Sequence, residues 1–388
     1  MIYGFNTHKT PVISEVGGKA KSLIEMTKAG LNVPEGFVLS VQFFKPWLKE
    51  IKTSKAWEEL LKVTTKIKCD ELKRMARGLR FSKEQKAELD NALKNMKQHS
   101  LFAVRSSSPE EDLEGTSFAG MYETMLGVTE DKIEEAIAKA FSSMLDFRVM
   151  EYKNQNNIDL KNTSIAVIVQ RQISSDVSGI GFSLNPGNNC YDEAMINASF
   201  GLGETIVSGI VTPDTYIVEK VKNEILDKKI NEKIKGLWLD KSGGTVEKYN
   251  EKPAVQALTD EQIMEVTEMI KKCEEYYDLP IDTEWAYEGD KLYLLQARPI
   301  TTYLPLFPEM VTKPGEEKYI YIDVMGLTQG FTDSLSVLGM DIWTKMLDIA
   351  KGEILQIGID GGIIAINGRQ YAHISNLAKG FSIKTINK

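Results

Sequence analysis

Asp282, Glu284, Gln296 and Arg298 have the types and spacing to bind phosphate and a metal ion. They stand two apart within two strand-like runs, 282–286 and 292–299, separated by Gly289-Asp290-Lys291. Residues two apart on a strand share a face. With a three-residue loop, Glu284 pairs with Gln296 and Asp282 with Arg298, all on one face. A two-residue loop would put Glu284 opposite Leu295, and the three-residue loop is the expectation. Alternation also predicts Trp285 and Tyr287 on one side of the first strand, and Tyr293, Leu295 and Ala297 on one side of the second. Two carboxylates, an amide oxygen and a guanidinium suit a hard divalent cation on phosphate oxygens. By themselves they equally describe a polar hairpin with one cross-strand ion pair.

Other stretches could supply cations and backbone donors. Val16-Gly17-Gly18-Lys19-Ala20 precedes a helical apolar spacing that ends near Gly30. Glycines at a helix start let N–H groups approach an anion, and Lys19 adds a point charge. The spacer and ending of a Walker A loop are missing, and a glycine turn with a solvated lysine also fits. Phe102-Ala103-Val104 forms a short strand that delivers Arg105 before Ser106-Ser107-Ser108. The loop from Pro109 to Gly120 then leads into Met121 to Thr124. Such a loop closes over phosphates in some enzymes and is plain surface in many proteins. Its serines have no histidine nearby to activate them. The apolar run 165–170 ends in Gln170 and reads either as core or as a strand whose end meets a ligand such as an adenine edge.

The elements that must position these residues follow from pattern. Residues 41–100 read as charged scaffold helices, with Ser82 as a capping-box start. Residues 131–153 read as helix. Strands are expected at 179–183 and 194–198, and hairpins over 215–257. A helix is expected from Thr259 to about Tyr277. The chain has 388 residues, 47 basic and 55 acidic, for a net charge of −8. That length allows two or three domains. The balance gives no basic excess for nucleic acid or anionic lipid. Cys69, Cys190 and Cys273 lie far apart and read as free thiols in a reducing compartment. No signal-peptide pattern or apolar span stands out, so the expectation is a cytoplasmic protein without membrane or nucleic-acid partners.

Five stretches in order, 16–40, 102–127, 167–186, 197–214 and 282–301, resemble the ATP-grasp half of the pyruvate, phosphate dikinase superfamily. Its members include phosphoenolpyruvate synthase (pyruvate, water dikinase) and rifamycin phosphotransferase. The resemblance covers roughly residues 4–302. It implies an α/β (α+β) ATP-grasp fold with ATP and Mg²⁺ as cofactors. Lys19 and Arg105 would grip ATP phosphates. Gly120 and Thr124 would belong to the loop closing on the nucleotide, and Gln170 to the adenine-binding strand. Glu284 and Gln296 would bind Mg²⁺. Arg298, with Arg105, would stabilise the transferring phosphate. Thr283 and Gln172 depart from the family pattern, which usually has an aliphatic residue and a methionine there. Gln172 bears on nucleotide fit.

The expected organisation is an ATP-grasp domain over 1–302, a proline-containing linker over 303–316, and the beginning of an acceptor-binding domain over 317–388. The last stretch resembles the opening of the drug-binding domain of rifamycin phosphotransferases, which favours that branch. Val337 departs from it where a proline is usual. The superfamily passes phosphate through a histidine on a swivelling domain. None of His8, His99 and His373 stands in that motif, and all three read as structural or solvated. The implied function is a phosphotransferase module that would pyrophosphorylate such a histidine, carried in trans or deleted from this chain. The final small-molecule acceptor would be a rifamycin-like hydroxyl, or pyruvate as the alternative. A reading of another class is a non-catalytic ATP sensor or assembly subunit.

Overall fold

Arg105 of one sheet reaches Leu295 and Gln296 of another, so the fold must bring two sheets together. A computed structural model describes residues 1–96, 98–110, 121–300, 306–324, 334–350 and 363–375. The chain divides into two units, Met1–Tyr303 and Leu304–Lys388.

The first unit opens with β1 (Ile2–Gly4), α1 (Ile13–Lys28) and β2 (Gly36–Leu39). Four helices follow: α2 (Lys45–Lys52), α3 (Lys55–Lys62), α4 (Lys66–Gly78) and α5 (Lys83–Lys94). Then come β3 (Leu101–Ser107), β4 (Thr124–Thr129), α6 (Ile133–Ser142), α7 (Phe147–Gln155) and β5 (Ala166–Arg171). These strands form an antiparallel sheet in the order β1-β2-β5-β3-β4. One face packs on helices through Phe44, Trp47, Leu72, Phe141 and their neighbours. The other packs on α1 through Val16, Ala20, Leu23 and Ile24. This two-faced burial explains the unbroken apolar run of β5.

The second sheet uses β6 (Val177–Phe182), β7 (Glu193–Phe200), β8 (Asp214–Glu219), β9 (Glu224–Lys229), β12 (Ile281–Glu288) and β13 (Lys291–Pro299). Its order is β13-β12-β6-β7-β8-β9, again antiparallel. Between β7 and β12 lie the short α8 (Glu204–Val207), the hairpin of β10 (Lys235–Leu239) and β11 (Thr245–Tyr249), and α9 (Asp260–Tyr277). Helix α9 covers this sheet with Ile263, Val266, Ile270 and Cys273, and Met26 of α1 is buried in the same core. Helix α1 therefore touches the cores of both sheets, which brings Lys19 near β13.

Local signals explain the helix starts. Ser82 and Gln85 form a reciprocal capping box, as do Thr259 and Gln262. Each satisfies two otherwise orphaned donors. The single helix expected over 131–153 is two. A 3-10 turn at Ser143–Leu145 ends α6, and Asp146 accepts from the Arg148 N–H to start α7.

The second unit holds β14 (Tyr321–Asp323), α10 (Val337–Ala350), β15 (Ile363–Ile366) and β16 (Arg369–His373). Its sheet order is β14-β16-β15. Arg369 pairs with Asp323, and the His373 ring packs against Tyr319 and Tyr321 at 4.8 and 4.6 Å. Residues 325–333 and 351–362 lie outside the described residues. His99 contacts the Glu35 carboxylate at 2.9 Å, and His8 is exposed.

The class is mixed α/β (α+β). Among the described residues no helix is long and apolar enough to cross a membrane. All three cysteines are free. Burial pushes the Cys69 and Cys273 thiols up to about 12, which keeps them protonated and unreactive.

Candidate functional site: a cleft between helix α1 and the β12–β13 hairpin

The hairpin reaches the expected pairing by an unexpected route. Glu288 pairs with Lys291, so the loop has two residues, Gly289-Asp290, and not three. Even so, Glu284 stands opposite Gln296 and Asp282 opposite Arg298. The register shifts between Glu284 and Trp285, whose partners are Gln296 and Leu294, leaving Leu295 as an extra residue on β13. One residue fewer in the turn and one more in the strand cancel. The bulge also changes strand parity. Ala297 therefore joins Leu292, Leu294, Trp285 and Tyr287 in one core, whereas Tyr293 and Leu295 pack with Ile173 and Ala286 in another. The expectation that Tyr293, Leu295 and Ala297 share a side fails for this reason.

A bulge leaves its extra residue out of the ladder. Here Arg105 makes use of it. The Arg105 Nη1 donates to the Leu295 carbonyl at 2.9 Å, and Nη2 donates to Gln296 Oε1 at 2.7 Å. Nη2 also lies 3.5 Å from Glu284 Oε2. The guanidinium fork thus spans the two sheets, a geometry that an ammonium could not reproduce. On β3, Arg105 stands opposite Thr124 of β4 and Ile168 of β5, so Thr124 faces the same side and is exposed. Gln170, two residues beyond Ile168, shares that face. It is buried, and its Nε2 donates to the Pro34 carbonyl at 3.1 Å. Gly120 lies outside the described residues, as do Glu111, Asp112, Glu114, Gly115, Thr116 and Ser117.

Lys19 is set by a kink. Gly17 takes φ 76° inside α1, and a Cβ there would stand 2.4 Å from the Ser107 carbonyl oxygen, so only glycine fits. The helix restarts against the end of β3. Gly18 N–H donates to the Ser108 carbonyl at 3.3 Å, and Ala20 N–H to Ser107 Oγ at 3.1 Å. Two of the donors expected to face an anion are therefore bonded to protein. The ammonium of Lys19 lies 5.9 Å from the centre of the Tyr122 ring. Tyr122 is a neighbour that strand and helix patterns did not single out.

Lys19, Gln296 and Arg298 line one cleft of about 200 Å³, together with Gly18, Ser22 and Tyr277. Arg298 is held from behind by Asp282, with Nε at 3.0 Å and Nη2 at 2.9 Å from Oδ2. Burial raises the Asp282 carboxyl above its ordinary range. Arg298 opposes that rise and Glu284 adds to it. Glu284 and Gln296 offer one carboxylate and one amide oxygen on adjacent strands. An amide oxygen has two lone pairs, so the bond from Arg105 leaves one for a cation. This all-oxygen pair fits Mg²⁺, which takes few protein ligands and keeps water and phosphate oxygens. Thr283 spends its hydroxyl on the Gly181 carbonyl at 2.9 Å, away from this face. Gln172 accepts from Gly127 N–H at 3.3 Å, linking β4 to the end of β5.

Cations from one sheet and its helix, opposed to a hard-oxygen pair and a cation from the other, make a cleft suited to a polyphosphate. Comparison with known families agrees. The pyruvate phosphate dikinase, AMP/ATP-binding domain family matches residues 13–315, and the chain belongs to it. A probable phosphoenolpyruvate synthase of Methanocaldococcus jannaschii is 34% identical over 87% of this chain and 30% of its own length. A rifampicin phosphotransferase of Bacillus subtilis is 32% identical over 88% of this chain and 40% of its own length. An uncharacterized phosphotransferase of the same species is 37% identical over 78% of this chain and 34% of its own length. The chain thus spans less than half the length of these relatives. Among solved structures, a D-alanine–D-alanine ligase of Helicobacter pylori aligns over 74% of this chain and 54% of its own. Its identity is 16% and its TM-score 0.31, and that likeness carries no weight for the fold.

Proposed function

We propose that this chain is the ATP-binding module of a Mg²⁺-dependent, dikinase-type phosphotransferase. The observation that carries the reading is the convergence of Lys19, Gln296 and Arg298 on one cleft, with Arg105 gripping Gln296 from the opposite sheet. Phosphoryl transfer depends on positioned cations more than on covalent work by the protein. Lys19 and Arg105 would hold the phosphates. Arg298, oriented by Asp282, would stabilise the transferring group. Thr124 and Gly120 would border the nucleotide, and Gln170 would lie on the adenine-binding strand. Glu284 and Gln296 would hold Mg²⁺, which when bound neutralises phosphate charge.

The module would act in the cytoplasm with a histidine-bearing swivelling domain, pyrophosphorylating that histidine and releasing AMP. The domain assignment follows the same reading: nucleotide binding over 1–302, a linker over 303–316, and the start of an acceptor-binding domain over 317–388. A rifamycin-like hydroxyl is the first acceptor, supported by the tail over 317–388. Pyruvate is the second, supported by relatives named phosphoenolpyruvate synthases at similar identity.

Calorimetry with Mg-ATP tests the site. The parent chain binds, and Glu284→Ala and Arg298→Ala each weaken binding about tenfold or more, the scale of a lost charged contact. No binding by the parent, or unaltered binding by both variants, would sink the assignment. Adding a histidine-bearing carrier domain and assaying AMP release then tests catalysis. Silence with a competent carrier favours the ATP-sensor reading.

A further inference from the structure

We propose that Tyr277 and Ser22 form a positioning relay for the outer phosphates of the nucleotide, a deepening that rests on the ATP reading above. Tyr277 is the last residue of α9, Ser22 lies on α1, and Ala297 stands between Gln296 and Arg298 on β13. The Tyr277 hydroxyl donates to Ser22 Oγ at 3.0 Å, and Ser22 Oγ donates to the Ala297 carbonyl at 2.6 Å. The two bonds point the same way, so each polarises the other. Burial, the first cause, raises the Tyr277 phenol, which stays protonated and able to donate at neutral pH.

The need for such a relay follows from the sheet. Among the described residues strand β13 is an edge, paired only with β12. The outward groups of an edge strand must be covered or left to solvent. Asn32 covers part of this edge, donating to the Leu292 carbonyl and accepting from Leu294 N–H at 3.0 Å. Arg105 takes the Leu295 carbonyl. Ser22 takes that of Ala297, and this contact is itself held by a third element through Tyr277. Ser22 lies three residues after Lys19, so both share one face of α1. Ser22 and Tyr277 also line the cleft with Lys19, Gln296 and Arg298. The relay therefore fixes the separation between the cation on α1 and the cation on β13. Those two groups would meet the outer phosphates of ATP, which AMP lacks.

Calorimetry on the full chain with Mg-ATP and, separately, AMP tests this. Tyr277→Phe keeps the ring and its packing while breaking the relay. Ser22→Ala removes both bonds. Tyr276→Phe is the control, because Tyr276 is half exposed and lies off the cleft. Tyr277→Phe raises the Mg-ATP Kd about fivefold, the scale of one neutral hydrogen bond. Ser22→Ala raises it further, and the double variant is no worse than Ser22→Ala, since both act on one chain of bonds. AMP affinity and the control stay at parental values. Parental Mg-ATP affinity in both variants overturns the relay, as do equal losses for ATP and AMP. A parent chain that fails to bind Mg-ATP overturns the nucleotide reading itself, a different result from a binding parent with indifferent variants.

Discussion

Asp214 and Asp282 lie in the same sheet, and each is paired with a cation, yet their surroundings differ. Asp214 is fully buried against an equally buried Lys233. Its two oxygens also accept from Asn231 N–H at 2.9 Å, Ala257 N–H at 2.8 Å and the Tyr216 hydroxyl at 3.0 Å. The residues that supply these donors tie the start of β8 to the segments before β10 and α9. Asp282 pairs with Arg298, whose side chain is 39% exposed and faces the cleft. A carboxylate enclosed by donors from its own fold holds the fold. One whose cationic partner opens onto a cleft would, on the proposed function, hold that partner for a ligand.

Lys233→Met gives the largest expected effect on this contrast. It leaves Asp214 charged and buried without its partner, a change that costs about 3–5 kcal/mol. Chemical denaturation reads the loss. The folded fraction keeps parental Mg-ATP affinity, because Lys233 lies off the cleft lining. A variant that stays stable but loses nucleotide binding would erase the distinction between the two aspartates.

Arg105→Ala stands between the two cases, because Arg105 is buried like Lys233 and faces the site like Arg298. It strips donors from Gln296 Oε1 and the Leu295 carbonyl. A stability loss of about 1–3 kcal/mol follows from leaving such acceptors unpaired. Mg-ATP affinity falls as well, by about a hundredfold if two charged contacts go. Denaturation and calorimetry on the same sample separate the two. A stability loss with parental affinity would reclassify Arg105 with Lys233.

The contrast also marks what the sequence could disclose. Roles set by near neighbours were legible: the capping box at Ser82, the helix start at Thr259, the buried run of β5, and the alternation that joins Asp282 to Glu284. Roles set across the fold were not. The bulge at Leu295 is capped by Arg105, 190 positions away, and it cancels an equal error in loop length. The Gly17-Gly18 pair is visible as a flexible start, but its cause is the backbone of Ser107. The contact of Tyr277 with Ser22 spans 255 positions and has no local signature. Asp214 has no local signature either, because three of its four donors lie 17, 19 and 43 positions away. Family resemblance supplied definite roles where pattern left alternatives open, as for Gln170 and Gly120.

Asp282→Asn is the smallest of these effects and probes the open pair directly. Burial raises the Asp282 carboxyl in the folded chain despite Arg298 beside it. A carboxyl raised on folding binds its proton more tightly in the folded state than in the unfolded one. Its contribution to stability is complete below the unfolded value, ~4. It is lost as pH rises from there through the raised folded value. Asparagine does not titrate. Urea denaturation at a series of pH values therefore finds the parent losing stability relative to Asp282→Asn across that window, and a flat difference above it. The opposite slope would mean that the Arg298 attraction outweighs burial, and that Asp282 is a stabilising partner in the manner of Asp214. At neutral pH the variant also loosens Arg298, so Mg-ATP affinity falls while stability does not. That split, affinity without stability, is the reverse of the Lys233→Met result.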